Sequence, residues 1–290
     1  MGEPHVLIIG AGVTGLAIAH GLQQAGIKYS IFERKEPGQL RSKEWTMGIH
    51  WGLPLLEGLL PAQIAVRIAT DGAVDPSLKY DEPPNNGAYI FDGVSGDILK
   101  DLNVSGRIVR VSRQKLRALC SEGINVHWGH ALLSVECDDH SNSVTAAFSD
   151  GQSYTGTVLV GCDGPRSAVR NHLFMPDRSA ATARPMEGIV TTSMCVTYAD
   201  PNVATFVRSK THPVWCIAIS PVMFHFMSIQ DVPDPERPET WRFFFFNSWL
   251  GEKPHDTSGS AARSVLLERA ENLAEVREPL VMSSGLSRKA

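Results

Sequence analysis

Gly10, Gly12 and Gly15 form the pattern G-x-G-x-x-G, and Glu33 follows eighteen residues after the last of them. Glycines so spaced let a backbone turn tightly, admit a pyrophosphate against the main chain and bring a helix close to a strand. An acid at that distance can hold ribose hydroxyls. The chemistry would be a grip on a dinucleotide. The elements that must position these residues stand around them. Val6-Leu7-Ile8-Ile9 is a short, continuous apolar run, as expected of a strand buried on both faces of a parallel sheet. Leu16, Ile18, Ala19 and Leu22 recur at helical spacing up to Gly26, and Tyr29-Ser30-Ile31-Phe32-Glu33 reads as a second strand. The helix start offers free N–H groups and a partial positive charge to phosphates. This βαβ unit by itself leaves NAD and FAD both open.

A second acid sits in a comparable place. Residues 157–170 read TVLVGCDGPRSAVR. Val158-Leu159-Val160 is another buried-strand run, Asp163-Gly164 ends it, and Ser167 is placed to cap a following helix. Asp163 there can hold a ligand hydroxyl or order a loop, and Gly164 leaves room for a close backbone approach.

Composition narrows the alternatives. The 290 residues suffice for one large domain or two modest ones, and a formal net charge of −4 implies no basic field for nucleic acid. Five scattered cysteines with no C-x-x-C argue against a disulfide framework and a zinc site, and suit a reducing compartment. No metal site is expected. The apolar stretch at residues 5–22 is preceded by Met1-Gly2-Glu3-Pro4, which lacks the positive charge of a signal peptide. Gly10, Gly12, Gly15 and Gly21 interrupt it as a membrane span, and Val6 stands where a myristoylation signal has Ser or Thr. We expect a cytoplasmic protein with no membrane span.

The stretch around Asp163-Gly164 resembles the DG motif of the FAD-dependent aromatic hydroxylases, the para-hydroxybenzoate hydroxylase-like flavin monooxygenases. RVSRQKLRALC (110–120) resembles their R-x-x-L helix start, which implies that Arg113 lies along the FAD pyrophosphate. WTMGIHWGLPLLEGLLP (45–61) resembles the segment after the second strand in fungal members, which implies that Gly48 lies near the flavin. GINVHWG, WCIAIS and WRFFFFNSWLG also read like those fungal proteins, so the resemblance runs from about residue 5 to 280. It implies an α/β fold: a Rossmann-like FAD-binding domain with a mostly antiparallel β-sheet substrate domain. The cofactor residues are then Gly10, Gly12, Gly15, Glu33, Gly48, Arg113 and Asp163.

The FAD-binding domain is expected to be discontinuous, over 1–80 plus 105–175. Within it Leu132 to Glu136, Val144 to Phe148 and Ser153 to Val160 read as strands, separated by polar turns. Residues 81–104 plus 176–255 are expected to form the substrate-domain sheet, with 89–102 as a hairpin. Phe224, Phe226, Trp241, Phe243, Phe245 and Trp249 are candidate pocket or core residues, with His225 facing the other side of its strand. A helix is expected within 256–280, with Val265, Leu266, Ala270, Leu273 and Val276 on one side, and an unstructured tail over 281–290.

Family members carry a later Gly-Asp segment against the flavin ring and ribitol. No stretch of 240–290 matches it, so a C-terminally truncated member is expected. The resemblance implies an FAD-dependent monooxygenase that takes electrons from NAD(P)H and reacts with O2. Through a flavin C4a-hydroperoxide it would hydroxylate or epoxidise an aromatic or polyketide-like small molecule, in secondary metabolism. A truncated, non-catalytic FAD-binding remnant and another flavin-dependent oxidoreductase stand beside it. No catalytic acid–base pair, substrate or oligomeric state can be named from the sequence.

Overall fold

The computed structural model describes residues 3–39, 44–82, 87–103, 106–174, 186–252 and 259–270. It divides into two units, each assembled from three stretches of chain: 1–44, 54–72 and 113–185 in the first, and 45–53, 73–112 and 186–290 in the second. Elements are numbered along the chain.

The first unit is built on the apolar runs. β1 (His5–Ile9), β2 (Lys28–Glu33), β7 (Val126–Trp128) and β11 (Val158–Gly161) form a wholly parallel sheet in the order β11-β1-β2-β7. α1 (Val13–Gln24) connects β1 to β2, and α4 (Arg113–Ser121) packs on α1, where the buried His20 ring shares a 2.9 Å hydrogen bond with the Cys120 carbonyl. α2 (Gly52–Leu59) enters this unit from residue 54, and α3 (Ala62–Ala65) follows. The opposite face of the parallel sheet buries Leu7, Ile9 and Phe32 against Ala146 and Phe148. Those two belong to an antiparallel meander of β8 (Leu132–Asp138), β9 (Ser143–Phe148) and β10 (Ser153–Gly156). The same cluster takes in Val169 from α5, whose described part is residues 168–174.

The run from Ser153 to Val160, read from sequence as one strand, is two. Its first half closes the meander and its second half pairs with β1. The switch falls at Thr157, whose N–H donates to the His5 carbonyl at 2.8 Å. A Cβ on the preceding Gly156 would lie 2.6 Å from that same oxygen, so the chain can cross there only without a side chain.

The second unit holds a six-stranded sheet in the order β12-β15-β14-β13-β4-β5. Its strands are β4 (Gly87–Asp92), β5 (Ile98–Asn103), β12 (Ile189–Thr197), β13 (Cys216–Ile219), β14 (Phe224–Asp231) and β15 (Arg242–Leu250). All neighbours are antiparallel except β13 and β4, and β4–β5 is the expected hairpin. A two-stranded sheet of β3 (Thr46–Ile49) and β6 (Val109–Ser112) completes the unit. One face of the large sheet buries Met227, Ile229, Phe243 and Phe245 with Trp241, together with Ala204 and Val207 of α6 (Pro201–Lys210). Trp249 packs with Val190, Met223 and the Val265-Leu266 pair of α7 (Gly259–Ala270). Four of the six candidate aromatics are therefore core, while Phe224 and Phe226 project half-buried on the other face. Leu273, Val276 and the tail at 281–290 lie outside the described residues.

Two polar devices are sealed into this unit. Asp75 is fully buried; it is ion-paired with Arg208 and accepts from the Ser77 N–H and hydroxyl at 3.0 and 2.5 Å. The Arg208 guanidinium also lies 4.8 Å over the Trp241 ring. On the core face of the large sheet, His225 bonds Asn247 at 2.5 Å. Burial pushes the His225 imidazole below its ordinary pKa.

Removing one partner of a buried pair strands the other, so Asp75→Ala is expected to lower stability by about 3–5 kcal/mol in urea unfolding. Because His225 binds its proton less readily folded than unfolded, its contribution is complete above about pH 6.5. It is lost as the pH falls. Stability should drop by up to about 2 kcal/mol between pH 7 and 5, and His225→Gln should flatten that part of the profile.

Candidate functional site

The site grows from the carboxyl end of β1, where the strand order reverses: β2 lies on one side and β11 on the other. Ligands of doubly wound sheets settle outside such a switch point. Two backbone bonds lock the turn. The Gly10 N–H donates to Phe32 O and the Cys162 N–H to Ile9 O, both at 2.7 Å. Gly10 has φ +106°, and a Cβ on it would lie 2.4 Å from the Cys162 carbonyl oxygen. A Cβ on Gly15 would lie 2.0 Å from the Gly10 oxygen, so the first turn of α1 rests directly on the end of β1. Gly12 is the opposite case: a Cβ there would meet nothing within 4 Å. It is the N-cap of α1, with no side-chain cap hydrogen bond and no acid in the first turn, so no side chain of the helix start answers the partial positive charge of its leading N–H groups.

Glu33 ends β2 beside this loop. Its carboxylate accepts from the Ala11 N–H and from Arg117, each at 3.2 Å, and from the Lys35 N–H at 3.2 Å. Arg117 also donates to the Ala11 carbonyl at 2.7 Å and lies 5.5 Å over the Trp128 ring. One arginine thus ties α4 to both the glycine loop and the acid of β2. The sequence reading missed Arg117 while naming Arg113. The available signal was helical spacing, since Arg117 stands one turn further along the helix that Arg113 begins.

Asp163 follows β11, next to Gly10. Its carboxylate accepts from the Ser167 hydroxyl and the Ala168 N–H, both at 2.6 Å, while Ser167 Oγ accepts from the Arg170 N–H at 2.9 Å. Of the two roles open to Asp163, ordering its loop is the one these bonds perform. Ser167 is the cap that its position suggested. Burial, then the nearby Asp163 charge, raise the Cys162 thiol above its ordinary pKa.

Gly10, Gly12, Gly15, Glu33 and Asp163 therefore converge on one end of the parallel sheet. Arg113 opens α4 in the same unit. Gly48 lies on β3, opposite Arg110, in the second unit. Among the described residues, no helix is long and apolar enough to cross a membrane.

Known proteins resemble the chain in sequence and in fold. The model of the FAD dependent oxidoreductase family matches residues 5–157. The chain is 41% identical over 276 residues to the FAD-dependent monooxygenase phnB of Penicillium herquei, covering 94% of this chain and 65% of the relative. It is 30% identical over 275 residues to the FAD-dependent monooxygenase cctM of Talaromyces islandicus, covering 93% and 65% respectively. The chain thus spans about two-thirds of the length of these relatives, slightly less at 65%. Klebsiella pneumoniae HpxO, solved with FAD and uric acid, superposes with a TM-score of 0.69 at 20% identity, over 97% of this chain and 65% of that one. The α/β fold, with its parallel nucleotide sheet and its larger, mostly antiparallel second sheet, is that of the FAD-binding hydroxylases.

The capping bonds of α5 give a local test. Ser167→Ala should destabilise its first turn by about 1 kcal/mol, speeding amide exchange at residues 168–170 roughly fivefold while β1 and β2 keep their protection.

Proposed function

The chain belongs to the FAD-dependent oxidoreductase family, and we propose that it acts as an FAD-dependent monooxygenase, with NAD(P)H and O2 as co-substrates and an aromatic or polyketide-like small molecule as the acceptor of one oxygen atom. The observation that carries this reading is the extent of the likeness to P. herquei phnB. It runs for 276 residues, through the antiparallel sheet as well as the nucleotide unit. The fungal secondary-metabolite setting and a cytoplasmic location belong to the same proposal.

The first unit fits the cofactor it would hold. The open space before Gly12 and the uncapped start of α1 suit a pyrophosphate, which would supply the negative charge that the helix terminus lacks. Gly10 and Gly15 keep strand and helix close enough for that approach. Glu33, which Arg117 steadies, would accept from ribose hydroxyls. Arg113 would lie along the pyrophosphate and Gly48 near the flavin ring. Asp163 holds the loop after β11 in shape by its bonds to Ser167 and Ala168. When bound, the flavin supplies the redox and oxygen chemistry; the protein's part is orientation and exclusion of water.

The purified 290-residue chain is expected to be yellow, with about one FAD released per chain on denaturation. Gly12→Glu should place a carboxylate where the phosphates sit and weaken FAD binding by tenfold or more, since like-charge contact costs several kcal/mol. NAD(P)H consumption that rises with substrate and matches hydroxylated product supports a monooxygenase. Consumption yielding only peroxide would point to an FAD-binding protein that does not oxygenate, and a colourless chain that takes up no FAD would overturn the reading.

A further inference from the structure

The large sheet of the second unit ends in two strands, β12 and β5, whose outer edges are built differently. An edge strand presents a row of unpaired N–H and C=O groups, and proteins blunt it with charge, proline, a bulge or short length. β5 follows that rule. It carries exposed Lys100 and Asp101, and its pairing with β4 shifts register between Ile90 and Phe91. β12 uses none of these devices. Its nine residues, IVTTSMCVT, include no charge and no proline. They pair with β15 without a register shift, from Ile189 opposite Leu250 to Thr197 opposite Arg242. Among the described residues, no strand pairs with the outer side of β12.

The ladder shows which backbone groups point outward. The Gly251 N–H donates to the Gly188 carbonyl at 3.0 Å, one step beyond the pair Ile189–Leu250. Opposed residues of an antiparallel ladder alternate between bonded and non-bonded pairs. Val190, Thr192, Met194 and Val196 therefore direct their backbone groups to β15, while Ile189, Thr191, Ser193, Cys195 and Thr197 direct theirs outward. The same five residues are exposed. They are symmetric about Ser193. A second β12 turned by a two-fold axis at that residue sets Ser193 against its own copy, Cys195 against Thr191 and Thr197 against Ile189. Every outward N–H then meets a carbonyl, giving about ten hydrogen bonds, a number typical of specific interfaces. No charged residue of either β12 meets a like charge, since the strand has none.

We propose that the outer edge of β12 is the docking surface for a second copy of this chain, and that two copies join their large sheets into one continuous sheet across a two-fold axis at Ser193. The pairing is isologous and closes on itself. It consumes both β12 edges, and the edges that remain, those of β5, are charged and irregular, so assembly stops at two. The contact runs for about 30 Å and is about 10 Å thick. That is narrower than a standard interface patch, so the dimer forms in the micromolar rather than the nanomolar range. It needs no flavin and holds whatever reaction the chain performs.

The test is sedimentation equilibrium of the full chain from about 1 to about 100 μM, with and without FAD. The mass should rise from one chain to two and stop there. Ser193→Pro removes a central outward N–H without touching the bonds to β15, and Ser193→Lys sets two like charges face to face. Each should weaken the dimer about tenfold or more while circular dichroism stays unchanged. Register is tested by oxidation in a Cys137→Ser background, which removes the exposed cysteine of β8. Thr191→Cys should then link to Cys195 of the second copy, because opposed bonded residues lie about 5.5 Å apart, within disulfide reach. Thr197→Cys is just as exposed but faces Ile189, and should not link. The unaltered strand should not link either, since nothing opposite Cys195 carries a thiol. A monomer at every concentration overturns the proposal, and this decides the matter even if the variants fail to fold. So do masses that grow beyond two chains, a dimer indifferent to both Ser193 variants, or equal linking by Thr191→Cys and Thr197→Cys. A dimer that takes up no FAD would sink the monooxygenase reading and leave the β12 pairing standing.

Discussion

The contact between Gly15 and the Gly10 carbonyl governs the nucleotide unit. With 2.0 Å between that oxygen and the position of a Cβ, no side chain fits, and α1 is seated on the end of β1 itself. Everything else at this end of the sheet follows from that seat. The first turn of α1 is aimed past the strand ends. The chain can leave β11 immediately beside Gly10, and Asp163 arrives where it can shape the adjoining loop. Glu33 and Arg117 then fasten the neighbouring strand and helix to Ala11 from the other side. The loop is pinned by backbone sterics and by one ion pair before any ligand arrives, so little ordering entropy remains to be lost on binding.

The two units treat buried charge differently. In the first, Arg117 and Glu33 are both mostly covered, yet each side chain has the other and the Ala11 peptide as partners. In the second, Asp75 and Arg208 form a closed pair supported by Ser77 and Trp241, which is a structural solution. Arg110 departs from both patterns. It is more deeply buried than Arg117 or Arg208, and its hydrogen bonds among the described residues go to the Ile229 carbonyl and the Thr46 hydroxyl.

Much of this was legible in the sequence because it depends on local patterns. The apolar run Val6 to Ile9, the glycine spacing and the acid at the end of the next strand report a βαβ unit without reference to distant residues. The Ser167 cap was readable for the same reason. What escaped depends on contacts far apart in the chain. The break at Thr157 exists because His5, some 150 residues earlier, offers a carbonyl there. Arg117 matters because α4 docks beside Ala11, and a helix viewed alone gives its two arginines equal claims. Along β14 and β15 the alternation of aromatics was plain. Which face became core was not, since both faces carry phenylalanine: Phe243 and Phe245 turned inward while Phe226, Phe244 and Phe246 did not.

The parallel sheet also sets a schedule for synthesis. β1 lies inside the sheet, yet its partner on one side, β11, is encoded far downstream: Val6 pairs with Val158. At a typical translation rate of about 5–20 residues per second, one edge of the first strand emerges and waits roughly 8–30 s for its neighbour. During that interval an apolar strand of the sequence VLII is open to any other strand nearby. The nascent chain therefore needs cover from a chaperone or from its own α1 until residue 161 has left the ribosome.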